Sequence, residues 1–320
     1  MSGRIAFVFP GQGSQEVGMG MALAAAYPEA AATLADAEAA FASAANGAGG
    51  PSLRAMLAEG PEDQLRLTEH AQPAILAVSV AAARVLQARG LEPAFVAGHS
   101  LGEYSAHVAA GTFSLADGVG IVRRRGRYMQ EAVPVGAGAM AAIIGLDEPL
   151  VEQACREAAE GEVVSPANLN SPGQIAIAGH AAAVARASER AKALGARKVV
   201  PLTVSAPFHC ALMQPAQARL EPELRALRAV ASRVPVVANV DAAPKSDARA
   251  AVDALVQQVS SRVRWVDVVQ RLAAEGVTHY IEVGPGAVLA GFIKRIQKGA
   301  HIVSFSSPEQ LDAVLAACSN

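Results

Sequence analysis

Short β-rich runs alternate with longer helical patterns along almost the whole chain, and this alternation restricts the fold most. "RIAFVF" reads as a buried strand and "PGQGSQ" as the turn that ends it. "AFVAG", Ala94–Gly98, reads as a second strand, and helices are expected from about Ser100 and about Ser114. Further strands are expected at "PVVANV" (Pro235–Val240), "THYIEV" (Thr278–Val283) and "HIVSF" (His301–Phe305). Strands separated by helices require crossovers, so the expected core is an α/β layer structure around a parallel sheet. The early helical pattern is broken at "NGAGGP", Asn46 to Pro51.

The middle of the chain breaks the rhythm. "GAMAAIIGL" reads as a strand and "EPLVEQACREAAE" as a helix. "VVSPANL" and "QIAIAG" read as two strands joined by a Ser-Pro-Gly turn. "AAAVARASERAKALG" and "ARKVVPLTV" supply a second helix and a last strand. The order β-α-β-β-α-β is that of a ferredoxin-like unit. It is placed at 135–204, inserted between the two parts of a larger domain, 1–134 and 205–320.

Composition excludes several classes of function. The 320 residues carry a net charge of −2, with 18% charged residues of both signs and only 4% aromatics. Nothing here favours nucleic acid or an anionic membrane as a partner. The apolar run "AILAVSVAAARVL" is interrupted by Ser79 and Arg84 and falls short of a membrane span. The start, "MSGRIAFVFPGQG", has too short an apolar core for a signal peptide. Cys155, Cys210 and Cys318 are odd in number and widely spaced, which suits neither a disulfide framework nor a zinc site. A reduced, cytoplasmic protein without a bound metal is expected.

"GHSLG", Gly98 to Gly102, is the G-x-S-x-G nucleophile elbow, with strand character before it and helix character after it. Such a turn needs glycines because side chains flanking the serine collide with the neighbouring strand or helix. It leaves Ser100 either as a nucleophile or as a simple N-cap. The N–H of Leu101 is a candidate oxyanion donor, and the turn "FPGQGSQ" is a candidate source of a second. It lacks the Gly-Lys-Ser/Thr of a phosphate loop.

A serine nucleophile needs a base, and seven histidines are available: 70, 99, 107, 180, 209, 279 and 301. None has metal-ligand spacing. His99 adjoins Ser100, and their side chains should diverge. His209, in "SAPFHCALM", follows a strand through Pro207 into a helix, a place that active-site residues favour, although a structural role remains open.

One charge is oddly placed. On a helical projection of "SLADGVGIVRRRGRYMQ", Leu115, Val119, Ile121, Val122, Tyr128 and Met129 form an apolar arc, and Arg125 falls inside it. An inward guanidinium requires a carboxylate or phosphate partner, because it does not readily neutralise. Two readings stay open, an internal salt bridge and a bidentate clamp on a substrate carboxylate.

These segments together resemble the malonyl-CoA:acyl carrier protein transacylase family, which includes the discrete enzyme of bacterial fatty acid synthesis and the acyltransferase domains of polyketide synthases. The matching pieces run through the chain in order: "FVFPGQGSQEVGMG" at 7–20, "TEHAQPAI" at 68–75, "GHSLGEYSA" at 98–106, and "RRRGRYMQEAVPVGAGAMAAIIGL" at 123–146. "SPANLNSPGQIAIAGH" at 165–180, "SAPFHCALMQPA" at 205–216 and "EVGPGAVLAGFIKRI" at 282–296 complete the set.

The resemblance implies a hydrolase-like α/β domain with a ferredoxin-like insertion. It implies Ser100 as nucleophile, His209 as general base and Arg125 as the grip on the malonyl carboxylate. Gln12 and Leu101 match the two oxyanion N–H donors. It implies malonyl-CoA and acyl carrier protein as partners, a ping-pong transfer through a malonyl ester, and no cofactor. The family holds its histidine by a backbone carbonyl, expected here in "SRVRWVD" near Arg264, where many members have glutamine. Phe208, before the histidine, goes with malonyl choice in the polyketide branch, so the pathway served stays open.

Two rivals share these features. An esterase on the same elbow would need a triad acid; Asp117 and Asp147 lie between serine and histidine, but neither ends an expected strand. A non-catalytic carrier-protein-binding module would be expected to have lost the nucleophile or the base.

Overall fold

A computed structural model describes residues 3–44 and 51–318. The break expected at 46–50 lies outside the described residues. The chain forms a mixed α/β fold whose strands are β1 Arg4–Phe9, β2 Phe95–Gly98, β3 Gly138–Ile144, β4 Val164–Ser171, β5 Gln174–His180, β6 Lys198–Pro201, β7 Val236–Val237, β8 Pro244–Lys245, β9 Val277–Val283 and β10 His301–Phe305.

Six of them form one sheet in the order β10-β9-β1-β2-β7-β8. Pairings from β10 through β7 are parallel, and the β7–β8 pair at the edge is antiparallel. The interior strands are apolar on both faces: Ala6, Phe7, Val8 and Phe9 of β1 have no accessible surface. This is the pattern of a parallel sheet covered by helices on both sides. On one face pack Ala6, Val8, Phe95 and Ala97 with Trp265 and Leu272; Phe7, Phe9 and Val96 belong to the larger core on the other.

The strand expected over Pro235–Val240 is shorter than its composition suggests, at two residues. Asn239 ends it. Its N–H leaves the ladder and donates to Glu103 Oε2, and Ala242 N–H bonds back to Ala238 O as the chain turns toward β8.

The middle of the chain forms a second, four-stranded sheet of order β4-β5-β3-β6, antiparallel throughout. Helices Glu148–Ala158 and Ala181–Ala193 connect β3 to β4 and β5 to β6. They bury Val151, Ala154, Val184 and Ala187 against Ile143, Ile175 and Ile177 of the sheet. This layer is tied by backbone to the segment between helices Ala248–Gln258 and Trp265–Ala274 of the larger part. Val263 N–H donates to Ala167 O at 2.8 Å, and Leu169 N–H donates to Val263 O at 2.9 Å.

Register decides where the turns of the large sheet fall. In the parallel β1–β2 pair, Phe9 stands opposite Gly98. The turn after β1, with Gln12, and the elbow after β2, with Ser100, therefore emerge side by side at the carboxyl edge, where open α/β sheets bind ligands.

Candidate active site

The elbow is sterically tight. A Cβ at Gly98 would come within 1.9 Å of the Gly102 carbonyl carbon, and one at Gly102 within 2.0 Å of Phe9 O. Only glycine fits at either position. Between them Ser100 holds φ at 53° and ψ at −107°, outside the ordinary regions for a side-chain-bearing residue. Such a conformation costs about 1–3 kcal/mol and must be held by its surroundings. Ser100 N–H donates to Asn239 Oδ1 at 2.7 Å, and Ser100 O accepts from Gln258 Nε2 at 2.9 Å. Ser100 occupies the N-cap position of helix Leu101–Ala109, but its side chain makes no capping bond. Its Oγ lies 2.7 Å from His209 Nε2 instead.

His209 is 4% exposed and also sits at positive φ, 62°. Its Nδ1 contacts two main-chain carbonyls, Gln258 O at 3.1 Å and Ser261 O at 3.2 Å. Carbonyl oxygens only accept, so Nδ1 carries the hydrogen and Nε2 presents its lone pair to the Ser100 hydroxyl. Burial, and then the charge of Arg125, push the imidazole pKa down to about 3. The ring is neutral and able to accept a proton.

Gln258 is the last residue of helix Ala248–Gln258, and the final carbonyls of a helix lack intrahelical partners. The negative end of that helix thus faces the imidazole, where it favours the positive charge produced by proton uptake. The carbonyl expected in "SRVRWVD" is there, at Ser261, but three residues before Arg264. Arg264 N-caps the next helix, Trp265–Ala274, and pairs through its side chain with Asp267. The acceptors are Ser261, at the start of "SRVRWVD", and Gln258, three residues before it. Gln258 O is free because it ends the helix, and Ser261 O lies in the bend just beyond it.

Arg125 is 1% exposed on helix Leu115–Glu131. Its partners are neutral: Nη1 donates to Gln72 Oε1 at 2.9 Å, and Nη2 to Gln258 Oε1 at 2.8 Å and Ser100 Oγ at 3.2 Å. The salt-bridge alternative does not hold, since among the described residues no carboxylate pairs with this guanidinium. Three of its five N–H donors are used, and its buried Nε has no acceptor.

Gln12 and Leu101 flank Ser100 in the same cleft. Gln12 anchors its side chain on Thr68 Oγ1 at 3.2 Å. Neither backbone N–H has an acceptor among the described residues. Phe208, 9% exposed, borders the cleft beside His209, together with Met129, Met140 and Leu202. The cleft measures about 870 Å³ and lies between the two sheets.

The other histidines serve elsewhere. His99 diverges from Ser100 and contacts Asn170 on β4 through Nε2 at 2.9 Å. His70 bonds Gln64 O, His107 meets Thr112 Oγ1, His180 accepts from Val163 N–H, and His279 stacks on His301. The two candidate triad acids cap helices: Asp117 with Ser114, and Asp147 at the N-terminus of Glu148–Ala158. Sequence reasoning missed Gln72, Asn239 and Gln258, which hold the arginine and the elbow. Neutral amides have no spacing signature, although Gln72 lies inside the matched segment "TEHAQPAI". Among the described residues no group of three or more His, Cys, Asp or Glu is placed to hold a metal ion, and no helix is long and apolar enough to cross a membrane.

The acyl transferase domain family matches residues 6–311. The malonyl CoA-acyl carrier protein transacylase of Salmonella typhimurium is 50% identical over 313 residues, 98% of this chain and 99% of that protein. Its Bacillus subtilis counterpart is 43% identical over 313 residues, 98% of this chain and 96% of that protein. Among solved structures, the malonyl CoA-acyl carrier protein transacylase of Coxiella burnetii has a TM-score of 0.94 at 41% identity, covering 100% of this chain and 99% of that one. A type II polyketide synthase acyl carrier protein in complex with its malonyl-transacylase gives 0.91 at 43% identity, covering 98% of this chain and 99% of that one.

Proposed function

The chain belongs to the malonyl-CoA:acyl carrier protein transacylase family, and from that premise we propose that Ser100 carries the malonyl group between two thiols. The activity is transfer of malonyl from malonyl-CoA to acyl carrier protein. The observation that supports the route best is the 2.7 Å contact between Ser100 Oγ and His209 Nε2, with Nδ1–H tied to main-chain carbonyls.

In the first half-reaction Ser100 Oγ attacks the thioester carbonyl while His209 Nε2 takes the hydroxyl proton. The N–H groups of Gln12 and Leu101 receive the developing oxyanion. The C–S bond breaks, His209 returns the proton to the departing CoA thiolate, and a malonyl ester remains. In the second half-reaction the phosphopantetheine thiol of the carrier protein gives its proton to His209 and attacks that ester. Ser100 leaves and recovers the proton. Transfer through a covalent intermediate of this kind is ping-pong. The protons balance between one histidine and two thiols, so the cycle as written calls for no metal and no redox cofactor.

Arg125 is assigned to the malonyl carboxylate. A buried guanidinium held by neutral amides, with donors to spare, gains an anionic partner only when substrate is bound. Phe208 is assigned to the wall near the acyl α-carbon. The family leaves the fatty acid or polyketide setting open, and a cytoplasmic location accords with three unpaired cysteines.

The finer description of the fold is proposed on the same terms. We read 1–134 and 205–320 as a hydrolase-like domain and 135–204 as a ferredoxin-like insertion. The β-α-β-β-α-β order and the antiparallel β4-β5-β3-β6 sheet support that reading.

Intact-mass measurement after exposure to malonyl-CoA tests the route. A single malonyl adduct is expected, stable in buffer and discharged when holo acyl carrier protein is added. An adduct lost to water at the same rate without carrier protein would indicate a thioesterase. Transfer with no adduct at any time would exclude the ester.

A further inference from the structure

Glu103 is an ionisable group of the site that the proposed cycle does not use. It stands three residues beyond Ser100 on the elbow helix and has no accessible surface. A buried carboxyl is costly unless it is well bonded. Its Oε2 accepts two hydrogen bonds, from Gln258 Nε2 at 2.8 Å and from Asn239 N–H at 3.0 Å. Those same residues hold the elbow, Asn239 at the Ser100 N–H and Gln258 at the Ser100 carbonyl.

The amide of Gln258 lies between opposite charges. Its Nε2 faces Glu103, and its Oε1 faces the guanidinium of Arg125. A flipped amide would set its oxygen against the carboxylate and the Ser100 carbonyl, and its NH₂ against the guanidinium. The contacts with the Ser100 carbonyl and the guanidinium would be repulsive, and so would the contact with Glu103 in its ionised form; burial pushes that carboxyl up to about 7. Glu103 thus joins the Ser100 carbonyl and the guanidinium in fixing the amide orientation, and that orientation seats the arginine beside Ser100.

We propose that Glu103 is a positioning residue for acyl selectivity: through the Gln258 amide it holds Arg125 in the pose that receives a carboxylated acyl group. This rests on the reading of Arg125 given above. A residue that merely stabilised the elbow would affect every acyl donor alike, because Ser100 and His209 serve them all. One that acts through Arg125 affects the carboxylated donor more.

The test is kcat/KM for malonyl-CoA and for acetyl-CoA, with Tm, on wild type, Glu103→Ala, Glu103→Gln and Gln258→Leu. In Glu103→Ala the malonyl-CoA value should fall about 10- to 100-fold, the size of a lost hydrogen bond to a charged group. The acetyl-CoA value should fall several-fold less, so the preference for malonyl shrinks. Glu103→Gln offers a side-chain carbonyl to both donors and should restore most of that preference. Gln258→Leu cuts the relay at its other end and should shrink the preference in the same way, which keeps the test open if Glu103→Ala does not fold. Equal losses for both donors in these variants, or a Glu103→Gln no better than alanine, would overturn the proposal. A wild type with no preference for malonyl would remove the reading of Arg125 itself; a selective wild type with an equally selective Glu103→Ala would remove only the role of Glu103.

Discussion

Ser100 Oγ lies 2.7 Å from His209 Nε2, and both residues hold positive φ, 53° and 62°. They are 109 positions apart, at the ends of unrelated segments. Each is held in an unfavourable backbone state by bonds to other elements, so the pair is set up before substrate arrives. Preorganisation of this kind avoids reordering during the reaction.

Ser100→Ala should abolish covalent malonylation, because no other side chain occupies the elbow. His209→Ala should slow acylation about 10²–10⁴-fold, the usual effect of losing a general base. Intact mass and stopped-time acylation check both. A malonyl adduct on the Ser100→Ala protein would refute the assignment.

Arg125→Ala should lose malonyl-CoA activity by about 2–5 kcal/mol in kcat/KM, since a substrate charge is left in a partly dry cleft. Acetyl-CoA brings no carboxylate and should lose far less. Arg125→Lys should not recover the loss, because an ammonium lacks the planar fork. Equal losses for the two donors in the alanine variant would make Arg125 a structural residue.

Phe208→Ser should raise the relative rate with methylmalonyl-CoA. Phe208 borders the cleft beside the base. One methyl group in an apolar pocket changes discrimination by about 1–3 kcal/mol, so the shift should be partial. Competition between the two donors measures it, and unchanged selectivity would show that Phe208 does not contact the acyl group.

His107 links stability to pH. It is buried, its Nδ1 meets Thr112 Oγ1, its Nε2 has no partner among the described residues, and burial pushes its pKa down to about 3. Unfolded, it titrates near 6.5. As pH falls below 6.5 the unfolded chain takes up a proton that the folded protein refuses until about pH 3, so this contribution to stability is lost across that window. One such proton is worth about 1.4 kcal/mol per pH unit. The Tm of His107→Gln should therefore fall less steeply than that of wild type between pH 7 and pH 5. Parallel curves would contradict a neutral buried imidazole.

Much of the site was legible because its signals are local. The elbow is a five-residue pattern whose glycines answer to contacts at 1.9 and 2.0 Å. Arg125 declared itself by breaking the apolar arc of one helix, and it is buried as that position required. The strands "RIAFVF" and "HIVSF" end where their composition ends. "PVVANV" does not, because Asn239 gives its N–H to a buried carboxylate 136 positions away.

By itself the sequence determined the periodic elements, the strand-turn-helix around Ser100 and the inward face of Arg125, since steric limits and side-chain period act over a few residues. Only the tertiary structure decided that His209 rather than six other histidines reaches Ser100. It also decided that a helix end at Gln258 holds that imidazole, and that Arg125 rests on amides instead of a carboxylate. These are hydrogen bonds between segments far apart in the chain. Their partners are chosen by how helices pack on the sheet and where each chain end comes to lie, and no local pattern records that.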